Sequence, residues 1–227
     1  MSYLQPKINK SEEIIKEALE RFPNIAVGFS GGTDSLVVLN MILPYKWDIP
    51  VLFVDTGYQF PETYKYVKKI EKEWNLNMLT VKASNQLYDQ IKEEYGDSSD
   101  FFFNCCMQHK IGPMMEGIHD LNLDAFIVGI RGVEHPTRAE EPYFSHKPDF
   151  DFPHWRVHPI LDWQFQDVID YSLLFNLPLN PMYAKGYTSL GCTHCTKPNK
   201  TPGAHERAGR ERKRELIKAK MKEEGYN

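Results

Sequence analysis

An α/β fold, a parallel sheet covered by helices on both faces, is the architecture this chain predicts, and three observations predict it. Short apolar runs alternate with stretches of helical length from the N-terminus to Gly129. The runs are continuously apolar rather than alternating, as strands buried on both faces must be. The first two end in glycine-bearing polar turns that lead straight into a helix, Ser30-Gly-Gly-Thr-Asp-Ser35 and Asp55-Thr-Gly57.

Taken in order, Ser11–Arg21 reads as an amphipathic helix with Ile14, Ile15, Ala18 and Leu19 on one face. Ile25–Phe29 is the first strand, followed by a helix that continues through Ile42 and stops near Pro44. Pro50–Val54 is the second strand, and a helix starts near Pro61-Glu62. Asn77–Val81 suggests a third strand, Ala125–Gly129 a fourth and Arg156–Leu161 a fifth. From Pro136 to Pro159 the chain is rich in Pro, His, Asp and aromatics without a period, which reads as an ordered loop. Beyond Gly203, Glu206–Glu224 is charged nearly all round and predicts a solvated helix or a mobile tail. The expected organisation is one domain over 1–202 with a charged tail or helix over 203–227.

The formal charge of −4 over 227 residues gives no bulk electrostatic case for nucleic acid. No apolar run has the length of a membrane span, and the first residues lack the layout of a signal peptide. Four cysteines without an export signal point to the cytoplasm.

Those cysteines fall as Cys105-Cys106 and, much later, Cys192-x-x-Cys195. A [4Fe–4S] cluster takes four thiolates and accepts them from two distant segments. Structural zinc more often draws two spaced knuckles, so an adjacent pair suits it less. The ordinary alternatives are buried thiols beside a spare knuckle, or one disulfide. The cluster is preferred because no cysteine is left outside the pattern. It also leaves no thiol to act as a nucleophile.

The turn of Ser30, Gly31, Gly32, Thr33, Asp34 and Ser35 reads as a phosphate loop, with backbone N–H groups at a helix N-terminus forming an anion-binding concavity. Asp34 would orient the loop or hold a magnesium ion. An ordinary capped turn is the alternative, and the G-K-[ST] ending of a Walker loop is absent. Asp55 follows the second strand and suits a ribose hydroxyl, loop orientation or an N-cap. Arg131 and Arg138 follow a strand at the sheet edge where open α/β folds bind ligands, and arginine forks suit sulfate or phosphate. Lys110 would point at the cluster or at a substrate sulfate, or simply be solvated.

S-G-G-x-D-S resembles the signature of the PP-loop enzymes, the adenine-nucleotide alpha-hydrolase-like group with a Rossmann-like sheet. Val54–Tyr64, with Asp55, Thr56 and Gly57, resembles the D-T-G-x-x-x-P-E-T segment of adenylyl-sulfate and phosphoadenylyl-sulfate reductases. Gly129-Ile-Arg131 with Thr137-Arg138-Ala139 is similar to their G-x-R…[ST]-R-A stretch, and His158–Trp163 to N-P-L-x-D-W. Leu177–Pro181 and Gly186–Pro198 match the segment around the second cysteine pair. Cys105-Cys106-x-x-x-Lys110 matches the cluster-bearing members, with His109 in place of an arginine.

The resemblance implies nucleotide binding by the loop, Asp55, Thr56, Gly57 and Gly129, with tail arginines Arg207 and Arg210 closing over the ligand. His194 is expected beside the cluster without ligating it. The implied reaction is attack of a thiolate on the sulfonate sulfur, release of the adenylate and reduction to sulfite by a thioredoxin-like donor. A homo-oligomer is compatible with it. Two departures stand out. The family's tail cysteine is missing, since no cysteine follows Cys195, and the phosphate loop is the intact form of ATP-splitting enzymes. An AMP-forming adenylyltransferase, like the small subunit of sulfate adenylyltransferase, with Mg²⁺, is therefore the alternative reading. A non-catalytic nucleotide or cluster sensor is a third, which gives the intact loop no task.

Overall fold

The computed structural model describes residues 3–82, 87–148, 152–201 and 203–223, residue 223 by its backbone alone. The strands are β1 Ile25–Gly28, β2 Pro50–Asp55, β3 Asn77–Lys82, β4 Ala125–Ile127, β5 Phe144–Lys147 and β6 His154–Val157. They form one sheet in the order β3-β2-β1-β4-β6-β5. All neighbours pair in parallel except β5, which runs antiparallel to β6 at the edge. The parallel α/β sheet expected from the sequence is present.

The helices are α1 Gln5–Arg21, α2 Thr33–Ile42, α3 Pro61–Glu73, α4 Leu87–Tyr95 and α5 Ser99–Cys106. They continue with α6 Gly112–Asp120, α7 Pro136–Ala139, α8 Phe165–Leu174, α9 Arg212–Leu216 and α10 Lys218–Glu223. Strand residues alternate between two apolar clusters, as the pleat requires. Ile25, Val27, Val51, Phe53 and Ile127 face a large core with α1, α2, α3 and α8. Ala26, Leu52 and Phe126 face the other side, where Met114 and Ile118 of α6 cover them. A third cluster, from α4, α5 and the C-terminal helices, stands apart around the cysteines.

Three expectations are corrected. The fifth strand begins at His154 and ends at Val157, ahead of the Arg156–Leu161 run, because the register is set by pairing Trp155 to Ala125. The segment from Pro136 to Pro159 is not all loop: it holds α7 and the whole β5–β6 ladder, whose buried polar residues, Ser145, His154 and Arg156, hid its period. Within that segment, 149–151 lie outside the described residues. The charged tail does form helices, α9 and α10, but one face of them is docked on the protein rather than solvated all round. Ile217 and Met221 are 4 % and 2 % exposed and pack on Ile91, Phe101, Phe102 and Ile111. Its charges find partners far away in the chain, among them Asp100 for Lys220 and Glu140 for Lys222. The expected end of the tail, 224–227, lies outside the described residues.

Candidate active site

The strand order reverses between β1 and β4, and the crevice at the carboxyl ends of those strands is where such sheets take ligands. A cavity of about 260 Å³ opens there. Its floor is made by Gly28, Leu52, Val54, Phe126 and Val128, the ends of β1, β2 and β4.

The glycine loop forms one end. Gly31 has φ +77°, and a Cβ there would lie 3.0 Å from Thr63 and 3.1 Å from Val67, so the turn needs glycine. Ser30, Gly32, Thr33, Asp34 and Ser35 line the cavity, whereas Gly31 sits behind them. The loop is held by groups within and beyond it. Ser35 Oγ accepts from Ser30 N at 3.2 Å and donates to Gly32 O at 2.9 Å. Thr33 N donates to the Tyr183 hydroxyl at 2.9 Å, and Asn180 Nδ2 donates to Gly31 O at 3.1 Å. Gly129 also lines the cavity, and its packing explains its identity. A Cβ there would meet Asp34 O at 2.8 Å and Ser35 N at 3.0 Å, so the chain after β4 presses directly on the first turn of α2.

The second turn contributes Thr56 to the wall but not Asp55 or Gly57. Asp55 Oδ1 accepts from Gly57 N at 2.9 Å and from Tyr64 OH at 2.7 Å, which makes it an organiser of the turn. Thr56 Oγ1 lies 3.3 Å from Cys192 Sγ and links this turn to the cysteines.

The cysteines form the other end. Cys105 and Cys106 close α5, and Cys192 and Cys195 bracket a short 3₁₀ turn; all four line the cavity. Burial, then Cys106, Cys192 and Cys195, pushes the Cys105 thiol up, and burial and Cys192 push Cys195 up to about 12. After Cys106 the helix widens into a π turn, Met107–Ile111, of the kind that often marks functional sites. It carries Lys110 onto the cavity wall and buries His109, whose Nδ1 bonds Cys105 O at 3.0 Å. His194 stacks on Tyr88 at 4.7 Å and, with Tyr58, walls this end with rings. Among the described residues, no group of three or more His, Cys, Asp or Glu side chains closes round a single ion.

Between the two ends runs a belt of arginines and carboxylates. Arg138, Arg156, Arg207, Arg210 and Arg214 line the cavity together with Glu134 and Glu206. Arg131, expected to meet a ligand anion, lies beneath the wall, 1 % exposed. Its Nε donates to Asp34 at 2.6 Å and its Nη2 to Glu206 at 2.5 Å, so it ties the glycine loop to the tail. Asp34, offered as a magnesium ligand, has its Oδ1 in that pair. Arg207 grips Glu215 through two bonds of 2.9 Å. Arg210 donates to Thr196 Oγ1 at 3.0 Å and its guanidinium lies over Gly191, in the space that a Cβ there would take. Burial, then Arg214 and Arg207, pulls the Arg210 pKa below its ordinary value.

A model of the phosphoadenosine phosphosulfate reductase domain matches residues 24–198. That is most of the chain. The chain belongs to the phosphoadenosine phosphosulfate reductase family. Among its relatives, a phosphoadenosine 5′-phosphosulfate reductase of Buchnera aphidicola is 32 % identical, the match covering 86 % of this chain and 80 % of the relative. An adenosine 5′-phosphosulfate reductase of Lysinibacillus sphaericus is 30 % identical, over 82 % and 79 % respectively. Two solved structures share the fold. The phosphoadenylyl-sulfate reductase of Candida auris superposes with a TM-score of 0.68 at 24 % identity, over 83 % of this chain and 90 % of that one. The FMN adenylyltransferase of Candida glabrata gives 0.70 at 18 % identity, over 89 % and 68 %.

The family match ends near Pro198, so the tail residues Glu206, Arg207, Arg210 and Arg214 join the site from outside it. Tyr183, Asn180, Glu134 and Glu206 were missed by sequence reasoning. Asn180 stood inside the Leu177–Pro181 segment without a role. Tyr183 and the two glutamates carried no local signal.

Proposed function

We propose that this chain binds an adenylyl-sulfate-type nucleotide in the cavity and passes its activated sulfur to an external thiol, giving sulfite and the adenylate. The observation that carries the reading is the shared cavity. An anion-binding loop and four thiols, distant in sequence, form its two ends, with an arginine belt between them. Family membership narrows the ligand to an adenylyl sulfate, with or without a 3′-phosphate.

The loop hydroxyls of Ser30 and Ser35 and the first turn of α2 would hold the phosphate. Lys110, Arg138 and Arg207 line the same cavity and supply the positive charge that a sulfonate would need. An external thiolate attacks the sulfonate sulfur, a sulfur–sulfur bond forms, and the bond from sulfur to the phosphate oxygen breaks. The adenylate leaves with that electron pair, and the positively charged wall stabilises it. A second thiol then reduces the S-sulfonate to sulfite, with a disulfide as the oxidised product; a thioredoxin-like dithiol fits both steps.

Cys105, Cys106, Cys192 and Cys195 would hold a [4Fe–4S] cluster. A tetrahedral zinc needs donors closed round one ion, whereas a cluster takes one thiolate at each iron corner, which suits a looser set. When bound it would supply one-electron chemistry and a fixed charge at that end.

The intact Ser30–Ser35 loop favours one second reading, AMP transfer from ATP with release of pyrophosphate. Product analysis separates the two. ATP, adenylyl sulfate and phosphoadenylyl sulfate are offered separately to anaerobically purified protein with a dithiol. Sulfite and an adenylate support the reductase reading; pyrophosphate from ATP alone replaces it. A stable S-sulfonate on any of the four cysteines, read by intact mass, would mean that a proposed cluster ligand is itself the nucleophile.

A further inference from the structure

Glu134 is placed to set the charge of the cavity wall. It ends a 3₁₀ turn, Gly132–Glu134, and its side chain is 9 % exposed. Glu134 Oε2 accepts from the backbone N–H of Arg131 at 3.0 Å and from Arg138 Nη1. Its Oε1 accepts from Arg207 Nη1 at 3.2 Å. Glu134, Arg138 and Arg207 all line the cavity. Two guanidiniums of the anion-binding belt therefore converge on one carboxylate that belongs to the same wall. Arg207 does not need it as an anchor, because Glu215 already holds that guanidinium through two bonds. Glu134 thus takes positive potential out of the belt where a ligand anion would meet it.

We propose that Glu134 is a specificity-determining residue whose charge favours the nucleotide without a 3′-phosphate over the one that carries it. The inference rests on the adenine-nucleotide reading above. The physical reason is Coulombic. A fixed negative charge in the wall of the cavity that would hold the ligand penalises each further negative charge on that ligand. A 3′-phosphate adds close to two. The two nucleotides differ in little else, so one carboxylate in the wall changes their ratio far more than it changes the binding of either adenosine moiety.

The test uses AMP and adenosine 3′,5′-bisphosphate as probes, with calorimetry on the full chain and on Glu134→Gln and Arg207→Gln. Glu134→Gln keeps the shape and removes the charge. It is expected to raise the affinity for the bisphosphate about tenfold more than that for AMP. Arg207→Gln removes a positive charge beside the same carboxylate and should move the ratio the opposite way. A ratio unchanged in Glu134→Gln, or an equal loss for both probes, would make Glu134 a structural tie and overturn the proposal. If Glu134→Gln does not fold, an unchanged ratio in Arg207→Gln overturns it equally. Wild-type protein that binds neither probe defeats the nucleotide reading and this inference with it; binding of both with an unmoved ratio defeats the inference alone.

Discussion

The two ends of the cavity are built in opposite ways. The glycine loop is contiguous: six neighbouring residues, seated on the end of β1 and pressed from behind by Gly129. The cysteine end is assembled from α5, the π turn after it, the knuckle at Cys192–Cys195 and a tail that returns to pair with it. Thr196 and Arg210 form an antiparallel bridge there, and Glu211 N donates to Cys195 O at 2.9 Å. One end depends on backbone geometry, the other on ion pairs and a small apolar cluster. The first should break through single atoms of steric excess, the second through loss of packing.

The largest effect is expected at Gly129. A valine there drives its Cβ into Asp34 O and Ser35 N, backbone atoms that cannot rotate away. Urea unfolding should show a loss of more than about 3 kcal/mol, or no folded protein. Gly32→Ala is the contrast. Its Cβ would meet Ser30 Oγ at 3.4 Å and Tyr183 OH at 3.5 Å, ordinary contacts, so the fold should survive. An equal loss in both variants would show that close approach after β4 is not what shapes the loop.

A pH effect comes next, from the β5–β6 edge. His154 and His158 are 1 % and 0 % exposed, and burial pulls both pKa values down to about 4. The unfolded chain binds protons at these sites first, near pH 6.5. Stability from the two neutral rings is complete above that value and is lost as pH falls toward 4. Between pH 7 and pH 5 the cost is about 2 kcal/mol per ring. His158→Gln, which retains a donor for Pro142 O, should roughly halve the slope of urea midpoint against pH. An unchanged slope would place the acid sensitivity elsewhere.

At the cysteine end, Ile217→Ala removes a buried side chain from the cluster around the thiols and should cost about 2 kcal/mol in thermal or urea unfolding. It should also loosen Arg207 and Arg210, so nucleotide affinity falls with it. The smallest effect belongs to its neighbour. Leu216 is 68 % exposed, and Leu216→Ala should change stability by less than about 0.5 kcal/mol. Similar losses at both positions would mean that the tail packs by another face.

The glycine loop was legible because its signal is local. Gly31, the residue that needs φ > 0, is itself part of the turn. The three strands β1, β2 and β4 were legible for the same reason, as buried strands are continuously apolar. The β5–β6 edge was not. Phe144-Ser-His-Lys147 and His154-Trp-Arg-Val157 carry polar residues that only the fold buries. The tail misled because only Ile217 and Met221 of its charged run carry the packing.

By itself, then, the sequence determined the α/β architecture, the loop and the membership of the four cysteines in one pattern. The first two follow from residue type and short-range spacing, and the third from there being no other cysteine in the chain. Only the tertiary structure decided that Arg131 is a buried tie between Asp34 and Glu206 while Arg138 and Arg207 face the cavity. An arginine's role depends on which carboxylate reaches it, and these partners are set by packing between segments that no local pattern connects.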